Sequence, residues 1–384
     1  MLGLLEDLDI NYKKYIYNIL IILLIRCIFL FSSVIIKYIY NDKILNNNYD
    51  ILEFPVNFNI NDIFKSEIKK NDKMLKLMKN FIKKFEGYKF IISLSGGVDS
   101  MVLLFLLYNL VDKKDIITAT INYNQRVESK SELKFLKLIS KKLGILNYSR
   151  SVLNLDRKTN REYFEKKTQN MRFELYNFII KYHNWSKNKT IILLGHHRDD
   201  VRENILNNFL SGRKLSDLEV MGLSLKKNNL SLYRPLIDID KSEIYRVSHE
   251  YNIPYFKDTT PDWSKRGMMR RRLLPLLNEM YGNVNKLLDI QGEYSNNISK
   301  LVDSVSDIEI ELVEDNIYKF IYQENEIILS EIISKILHKN GIKMISQKSM
   351  KTLLNRSKID NWTMLSKNVR IKKDKYIYLF LNKN

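Results

Sequence analysis

The chain has 384 residues, of which 45% are hydrophobic and 11% aromatic, so it has enough apolar side chains to fold around two cores. Lys and Arg number 63 against 44 Asp and Glu, and the resulting net charge of +19 disfavours an acidic chain and indicates a polyanionic partner such as RNA. The single cysteine, Cys27, excludes an internal disulfide and a cysteine-built metal site, and it is compatible with a reducing compartment.

An excess of lysine has two explanations, a polyanionic partner or A/T-rich codon usage. The excess is concentrated at one end of the chain, because residues 335–384 carry thirteen Lys or Arg against only Asp360 and Asp374. This asymmetry favours a polyanion-binding C-terminal end.

The N-terminal part contains an apolar segment, residues 19–36, in which Arg26 is the only charged side chain. Its length is close to that needed to cross a bilayer. The residues before it include acidic side chains, which do not fit the basic start of a secretory signal. A membrane tether and an accessory helix therefore both stay open, and residues 41–62 are predicted to form a linker.

From residue 74 onward, strands alternate with helices. The predicted strands are 88–94, 116–121, 148–153 and 190–194, and the predicted helices are 74–85, 101–110, 131–143 and 164–182. This order predicts an α/β fold with a doubly wound parallel sheet, helices on both faces, and ligands at the carboxyl ends of the strands.

After Pro235 the pattern changes to a helical region and then to a small α+β domain. The predicted elements are helices at 241–251, 268–280, 284–307 and 346–355, followed by strands at 362–369 and 376–381. Aromatic residues alternate along the two strands, and we expect them to be core residues rather than a surface on which bases stack: Trp362, Tyr376, Tyr378 and Phe380. The predicted domain boundaries are 1–62, 63–235, 236–310 and 311–384.

The string Ser95-Gly96-Gly97-Val98-Asp99-Ser100 lies between a predicted strand and the start of a helix. Two glycines allow a tight turn that exposes backbone N–H groups, and a helix N-terminus attracts phosphate. No lysine follows, which excludes the Walker A pattern. The string predicts a polyphosphate site, in which Asp99 would serve as a ligand for Mg²⁺.

A second string, Gly195-His196-His197-Arg198-Asp199-Asp200-Val201-Arg202-Glu203, follows the predicted strand 190–194. Asp199 and Glu203 are four residues apart and share a helix face. Carboxylates beside a phosphate loop can hold a metal ion or the ammonium group of a substrate. Acidic residues at a helix N-terminus also arise from dipole matching alone.

Together, the SGGVDS and GHHRDDVRE strings resemble the PP-loop ATPases, which have an adenine nucleotide alpha hydrolase-like fold and split ATP into AMP and pyrophosphate. The spacing of about a hundred residues between the strings is similar to that of the tRNA(Ile)-lysidine synthetases. Weaker similarities extend the resemblance over about residues 89–277, and they include five arginines that the resemblance places near the substrate and the tRNA: Arg126, Arg172, Arg234, Arg266 and Arg270.

The resemblance implies a two-step reaction that uses ATP and Mg²⁺. ATP, bound through Ser95–Ser100, would adenylate the C2 oxygen of a cytidine in tRNA, and the resemblance implies that this is the isoleucine tRNA. The amine of free lysine would then displace AMP. Among the catalytic candidates, His197, Asp199, Asp200 or Glu203 would accept the proton of the amine. The implied location is the cytoplasm or an organelle, and a homodimer is compatible with the family.

Several positions depart from the family pattern: Asn122, Asn124, Asn204, Pro261 and Gly267. These departures leave the amine and the tRNA less well supported than the use of ATP. Three alternatives therefore stay open: tRNA thiolation, a small-molecule ligase, and a catalytically silent RNA-binding relative. Thiolation usually needs cysteines near the site, and Cys27 lies in another segment.

Overall fold

The computed structural model describes residues 51–382, except for 56–58, 65–68, 70–71, 126, 153–160, 259, 261–262, 306–309, 323–325, 343–344, 347–348, 351–352 and 354–358. The apolar segment 19–36 lies outside these residues, as does most of the predicted linker. In the part of the chain that the structure describes, no helix is long and apolar enough to cross a membrane.

The chain forms two compact units. The first runs up to Val201 and resumes at Met221–Leu273, and the second combines Arg202–Val220 with Leu274–Asn384. These units interleave along the sequence, whereas the predicted domains are contiguous segments. The predicted boundaries stay a prediction.

A six-stranded sheet forms the centre of the first unit. Its strands are β2 (Lys89–Ser93), β3 (Ile116–Asn122), β4 (Leu146–Ser151), β5 (Thr190–Leu193), β6 (Ser224–Lys227) and β7 (Leu230–Tyr233), in the order β4-β3-β2-β5-β7-β6. The first five in this order are parallel, and β6 pairs with β7 as an antiparallel edge strand. A short strand β1 (Leu52–Phe54) pairs separately with β8 (Tyr255–Phe256).

Helices cover both faces of this sheet. They are α1 (Lys73–Lys83), α2 (Val98–Tyr108), α3 (Ser129–Leu143), α4 (Arg161–Tyr182), α5 (Arg198–Leu210), α6 (Lys241–Glu250) and α7 (Lys265–Met268), with a π-helical turn at Met269–Leu273; α5 continues into the second unit. Alternation along β2 sends Phe90 and Ile92 into a core with α2, and Ile91 into a second core with α4. The predicted α/β fold with a doubly wound sheet is confirmed, and the antiparallel edge strand is an addition to it.

The second unit contains an antiparallel sheet. Its helices are α8 (Leu274–Tyr281), α9 (Val284–Val305) and α10 (Glu326–Lys339), and its strands are β9 (Glu311–Glu314), β10 (Ile317–Ile321), β11 (Ile359–Ser366), β12 (Val369–Lys373) and β13 (Tyr376–Leu381), in the order β11-β12-β13-β10-β9. One face of this sheet packs on α10 through buried aliphatic side chains. The predicted helix 346–355 falls in a stretch that lies largely outside the described residues.

The expected core position of four aromatic residues in this sheet is wrong. In β13, the buried side chains are Ile377, Leu379 and Leu381, which are completely or almost completely buried. Because neighbouring residues in a strand point to opposite faces, Tyr376, Tyr378 and Phe380 lie on the other face. Trp362 joins them there, with its ring 6.1 Å from that of Phe380 and 43% of its surface exposed. The alternation of residues along a strand distinguishes its two faces, but it does not show which face packs against the helix.

Candidate functional site

Two loops meet at the carboxyl edge of the central sheet. One follows β2 and the other follows β5, and these strands are parallel neighbours. The loops approach so closely that a Cβ atom on Gly195 would lie 3.1 Å from the backbone nitrogen of Ser100 and 3.2 Å from the Cβ atom of Asp99. Glycine at this position therefore allows the two sequence motifs to pack together.

The loop Ser95–Ser100 is organised by one hydroxyl. Ser100 Oγ accepts hydrogen bonds from the backbone N–H groups of Ser95 (3.3 Å) and Gly96 (3.1 Å), and it donates to the carbonyl of Gly97 (3.0 Å). Helix α2 begins at the next residue, Val98. The first N–H groups of a helix have no partner within the helix, so this turn can bind an anion.

Gly96 is required by the conformation and the packing of the loop. Its φ angle is +85°, in the left-handed region, and its carbonyl accepts a hydrogen bond from the backbone N–H of Phe256 (2.9 Å). A Cβ atom on Gly96 would lie only 2.0 Å from the Phe256 ring, which is itself buried. Strand β8, which contains Phe256, thus fixes the loop from outside the motif.

His197 lies among three carboxylates. This residue is 2% exposed, and its Nε2 is 3.5 Å from Asp99 Oδ1 and 3.4 Å from Asp200 Oδ2. Its Nδ1 is 3.9 Å from Asp199 Oδ2, and it has no hydrogen-bond partner among the described residues. A buried imidazole between carboxylates is suited to accept or pass on a proton.

Lys241 is a site residue that the sequence analysis missed. Its Nζ donates to Asp99 Oδ1 at 2.5 Å, and its backbone N–H donates to Asp199 Oδ2 at 2.8 Å. It begins helix α6, so the first turns of α2, α5 and α6 all lie at this site. Three helix N-termini and one ammonium group thus offset part of the negative charge of these carboxylates. The sequence around Lys241, which directly follows Asp240, contains no motif that would have identified this lysine as a site residue.

Asp200 joins the histidine to two arginines. One carboxylate oxygen, Oδ2, accepts a hydrogen bond from the backbone N–H of His197 (3.1 Å), and the other, Oδ1, pairs with Arg266 and with Arg270 Nη2 (3.1 Å). Burial would raise the pKa of Asp200, but the neighbouring His197 ring and Arg266 guanidinium group outweigh burial and hold this pKa below its usual value. Asp200 is therefore an ionised anchor for the Lys265–Leu273 segment.

Arg234 makes internal contacts rather than facing solvent. It is 9% exposed, and it donates from Nη1 to the carbonyl of Gly222 (2.7 Å) and from Nε to His196 Nδ1 (3.2 Å). Burial lowers the pKa of His196, so this imidazole is neutral and its Nδ1 acts as the acceptor. These contacts fix the conformation of the histidine pair.

Glu203, Arg172 and Arg126 complete the set of predicted residues. Glu203 is buried on α5 and belongs to the second unit. Arg172 lies half-buried on α4, where its Nε finds no partner among the described residues. Arg126 lies outside the described residues. The structure thus brings together Asp99, His197, Asp199 and Asp200, with the loop Ser95–Ser100 beside them.

The donor set at this edge fits Mg²⁺ bound mainly through phosphate. No group of three or more His, Cys, Asp or Glu side chains in the described part of the chain is arranged to hold a metal ion by itself. Mg²⁺ in nucleotide sites is usually held by one or two carboxylates together with phosphate oxygens. Asp99 offers one carboxylate beside the candidate phosphate loop, and this matches such a site.

Comparisons with known proteins match the same region. The PP-loop domain family matches residues 69–277, more than half of the chain. A tRNA(Ile)-lysidine synthase of Mycoplasma mycoides is 30% identical over 313 residues, which cover 77% of this chain and 74% of that protein. A tRNA(Ile)-lysidine synthase of Streptococcus gordonii is 28% identical over 255 residues, which cover 65% of this chain and 56% of that protein. The chain thus spans little more than half the length of the Streptococcus relative.

Proposed function

Because this chain belongs to the PP-loop family and, within it, to the relatives of tRNA(Ile)-lysidine synthase, we propose that it uses ATP to modify a tRNA. In the first step, the C2 oxygen of a cytidine attacks the α-phosphorus of ATP, and pyrophosphate leaves. In the second step, the amine of lysine attacks C2, and AMP leaves with the former C2 oxygen. Adenylation is needed because a carbonyl oxygen is a poor leaving group.

The observation that carries this proposal is the packing of the His197 carboxylate cluster against the loop Ser95–Ser100. The loop and the first turn of α2 would hold the polyphosphate through backbone N–H groups. The ammonium group of Lys241 pairs with Asp99, and there it would also contact a phosphate bound by the loop. Its positive charge would offset the charge of the departing pyrophosphate. Mg²⁺, bound by Asp99 and phosphate oxygens, would supply further charge neutralisation.

The second step needs a proton acceptor, because lysine reacts only as a neutral amine. His197 is our choice, since its Nδ1 has no hydrogen-bond partner among the described residues and its Nε2 faces Asp99 and Asp200. These carboxylates would stabilise the imidazolium that forms. Asp199 orients the start of α6 through the backbone N–H of Lys241, so we assign it a positioning role.

Arg266 and Arg270 would contact the tRNA, and the side chain of Arg266 is 52% exposed. Their pairing with Asp200 keeps both guanidinium groups beside the site, where phosphate could compete for them. Arg234 is better explained by its internal hydrogen bonds than by a contact with RNA. The basic C-terminal end would add contacts to phosphates.

The test is release of pyrophosphate and AMP from ATP by the full-length protein, with total tRNA present and with labelled lysine present or absent. We expect release that depends on tRNA, together with incorporation of label into tRNA, and loss of both in Asp99→Asn. Release without incorporation would reject lysine as the amine. No release despite tRNA binding would favour a catalytically silent RNA-binding protein, and release without tRNA would favour a small-molecule ligase.

A further inference from the structure

The outer face of the five-stranded sheet, on the side away from α10, presents aromatic and basic side chains. We define this aromatic face by Trp362, Tyr376, Tyr378 and Phe380 together with the cations Arg370 and Lys372. We propose that the aromatic face binds unpaired nucleotides of an RNA, with bases stacked on its rings and phosphates paired with its cations.

Strand register places these side chains next to each other. Phe380 of β13 is paired with Arg370 of β12, and Tyr378 is paired with Lys372. Arg370 is in turn paired with Met364 of β11, which is 62% exposed. Phe380 and Tyr378 therefore each have a cation directly beside them on β12, at a separation of about 5 Å between Cβ atoms. Tyr376 has its cation from β10, because Lys319 Nζ lies 4.7 Å from the centre of its ring.

The opposite face already supplies the core of this unit. Val369 and Ile371 of β12, and the three aliphatic residues of β13, are completely buried with side chains of α10. None of the residues of the aromatic face belongs to that core or to the side chains packed against it. Large aromatic side chains on a face that the core does not use are typical of a binding surface.

The charge and the geometry favour a single-stranded nucleic acid. Aromatic rings offer a stacking surface to any base, and Arg or Lys beside them can contact the backbone. Tyr376, Tyr378 and Phe380 follow each other at two-residue intervals, about 7 Å apart along the strand, so separate rings can take successive unstacked bases. A regular duplex keeps its bases inside and would meet only the cations.

Acidic residues at one edge of the sheet limit where on the sheet the RNA can bind. Strand β9 carries Glu311 and Glu314, and Glu311 already pairs with Lys319 at 3.1 Å. These carboxylates would repel a phosphate chain. The binding path is therefore expected over β11, β12 and β13, which hold Trp362, Arg370 and Tyr378.

The assignment to tRNA rests on the proposed function, whereas the stacking surface itself does not. The experiment measures fluorescence anisotropy of a short fluorescein-labelled single-stranded RNA, and of a blunt duplex of the same length, with the full-length protein. Tyr378→Leu removes one ring and is expected to weaken binding of the single strand roughly ten-fold. Tyr378→Phe keeps the ring and should bind as the native protein does.

Tyr294→Leu is the matched control, because Tyr294 is a 58% exposed tyrosine on α9 of the same unit. It should leave binding unchanged, and thermal unfolding of each variant shows that the fold is retained. Arg370→Gln should lower the slope of log affinity against log salt by about one.

Equal binding of the single strand by Tyr378→Leu and the native protein would overturn the proposal. So would duplex binding as tight as single-strand binding, or a dimer that Tyr378→Leu dissociates, since a second copy of the chain would then cover the face. Displacement of the single strand by total tRNA assigns the nucleotides to tRNA. If the ring-dependent binding is present but pyrophosphate release is not, the stacking surface stands and the proposed function fails.

Discussion

At the scale of single residues, the site depends on side chains that the motifs do not contain. Asp99 belongs to the SGGVDS string, but its partner Lys241 lies 142 residues further along the chain. Asp200 belongs to the second string, and its partners Arg266 and Arg270 come from a separate helical segment. The motifs therefore define the anionic half of the site, and later segments supply most of its cations.

Lys241→Met is expected to weaken the binding of pyrophosphate and of ATP by about ten-fold or more, the effect of losing a charged hydrogen bond of about 1.5–3 kcal/mol. Lys241→Arg should retain most of the affinity because it keeps the charge. Isothermal titration calorimetry with inorganic pyrophosphate measures this without tRNA or lysine. Lys257→Met, which removes an exposed lysine, is the control. Unchanged affinity in Lys241→Met would contradict a role for this ammonium group in binding phosphate.

His196 should make stability depend on pH. Burial lowers the pKa of His196 in the folded protein, so the unfolded chain binds a proton more readily. Its full contribution to stability is present above the unfolded pKa of about 6.5 and is lost as the pH falls below that value. Urea unfolding of the native protein and of His196→Gln should give free energies that diverge below about pH 6.5. Parallel curves over that range would show that His196 does not carry the effect.

At the scale of elements, the loop Ser95–Ser100 is held by β8, which pairs with β1 outside the central sheet. Gly96 and Gly87 both have positive φ angles, +85° and +74°. A Cβ atom added to Gly96 would clash with the ring of Phe256, whereas a Cβ atom added to Gly87 would have no atom within 4 Å. Gly87→Ala should cost about 1 kcal/mol from backbone strain alone. Gly96→Ala should cost about 1–3 kcal/mol more, because the added methyl group clashes with Phe256. Urea unfolding of the two variants measures the difference, and equal losses would argue against the clash.

Hydrophobic periodicity predicted the elements that carry the site. Helix α2 and strands β2 and β5 begin and end within a few residues of their predicted limits, because buried parallel strands are continuous apolar runs. The β6–β7 hairpin was not predicted, since Ser224–Lys227 is largely exposed and polar and has no apolar pattern of its own. The same reason explains the missed strand β9, whose residues are all exposed.

Contacts between distant segments could not be predicted from patterns in the chain. Gly96 was recognised as a turn residue, but nothing in the sequence indicates that Phe256 closes over it. The grouping of Asp99, His197 and Asp200 follows from the parallel order of β2 and β5, which is a property of the fold class. No comparable rule of the fold class predicts that Lys241 lies at this site.

At the scale of the whole molecule, the net charge of +19 should dominate the affinity for RNA. Raising salt from about 50 to about 200 mM is expected to weaken tRNA binding by about ten-fold or more, because each neutralised phosphate releases counterions. Filter binding over a salt series measures the slope. A binding constant that is flat over this range would mean that phosphate contacts contribute little, and codon usage would then be the better explanation of the lysine content.

Strand β1 has a practical consequence for any shortened form of this protein. Leu52 and Phe54 pair with β8, whose Phe256 donates its backbone N–H to the carbonyl of Gly96. Removing the apolar segment by cutting at residue 60 would also delete β1 and expose the edge of β8, the strand that contacts the loop Ser95–Ser100. A gene trimmed to begin before residue 51 keeps that pairing, and it should yield a better folded protein than one trimmed only ten codons later.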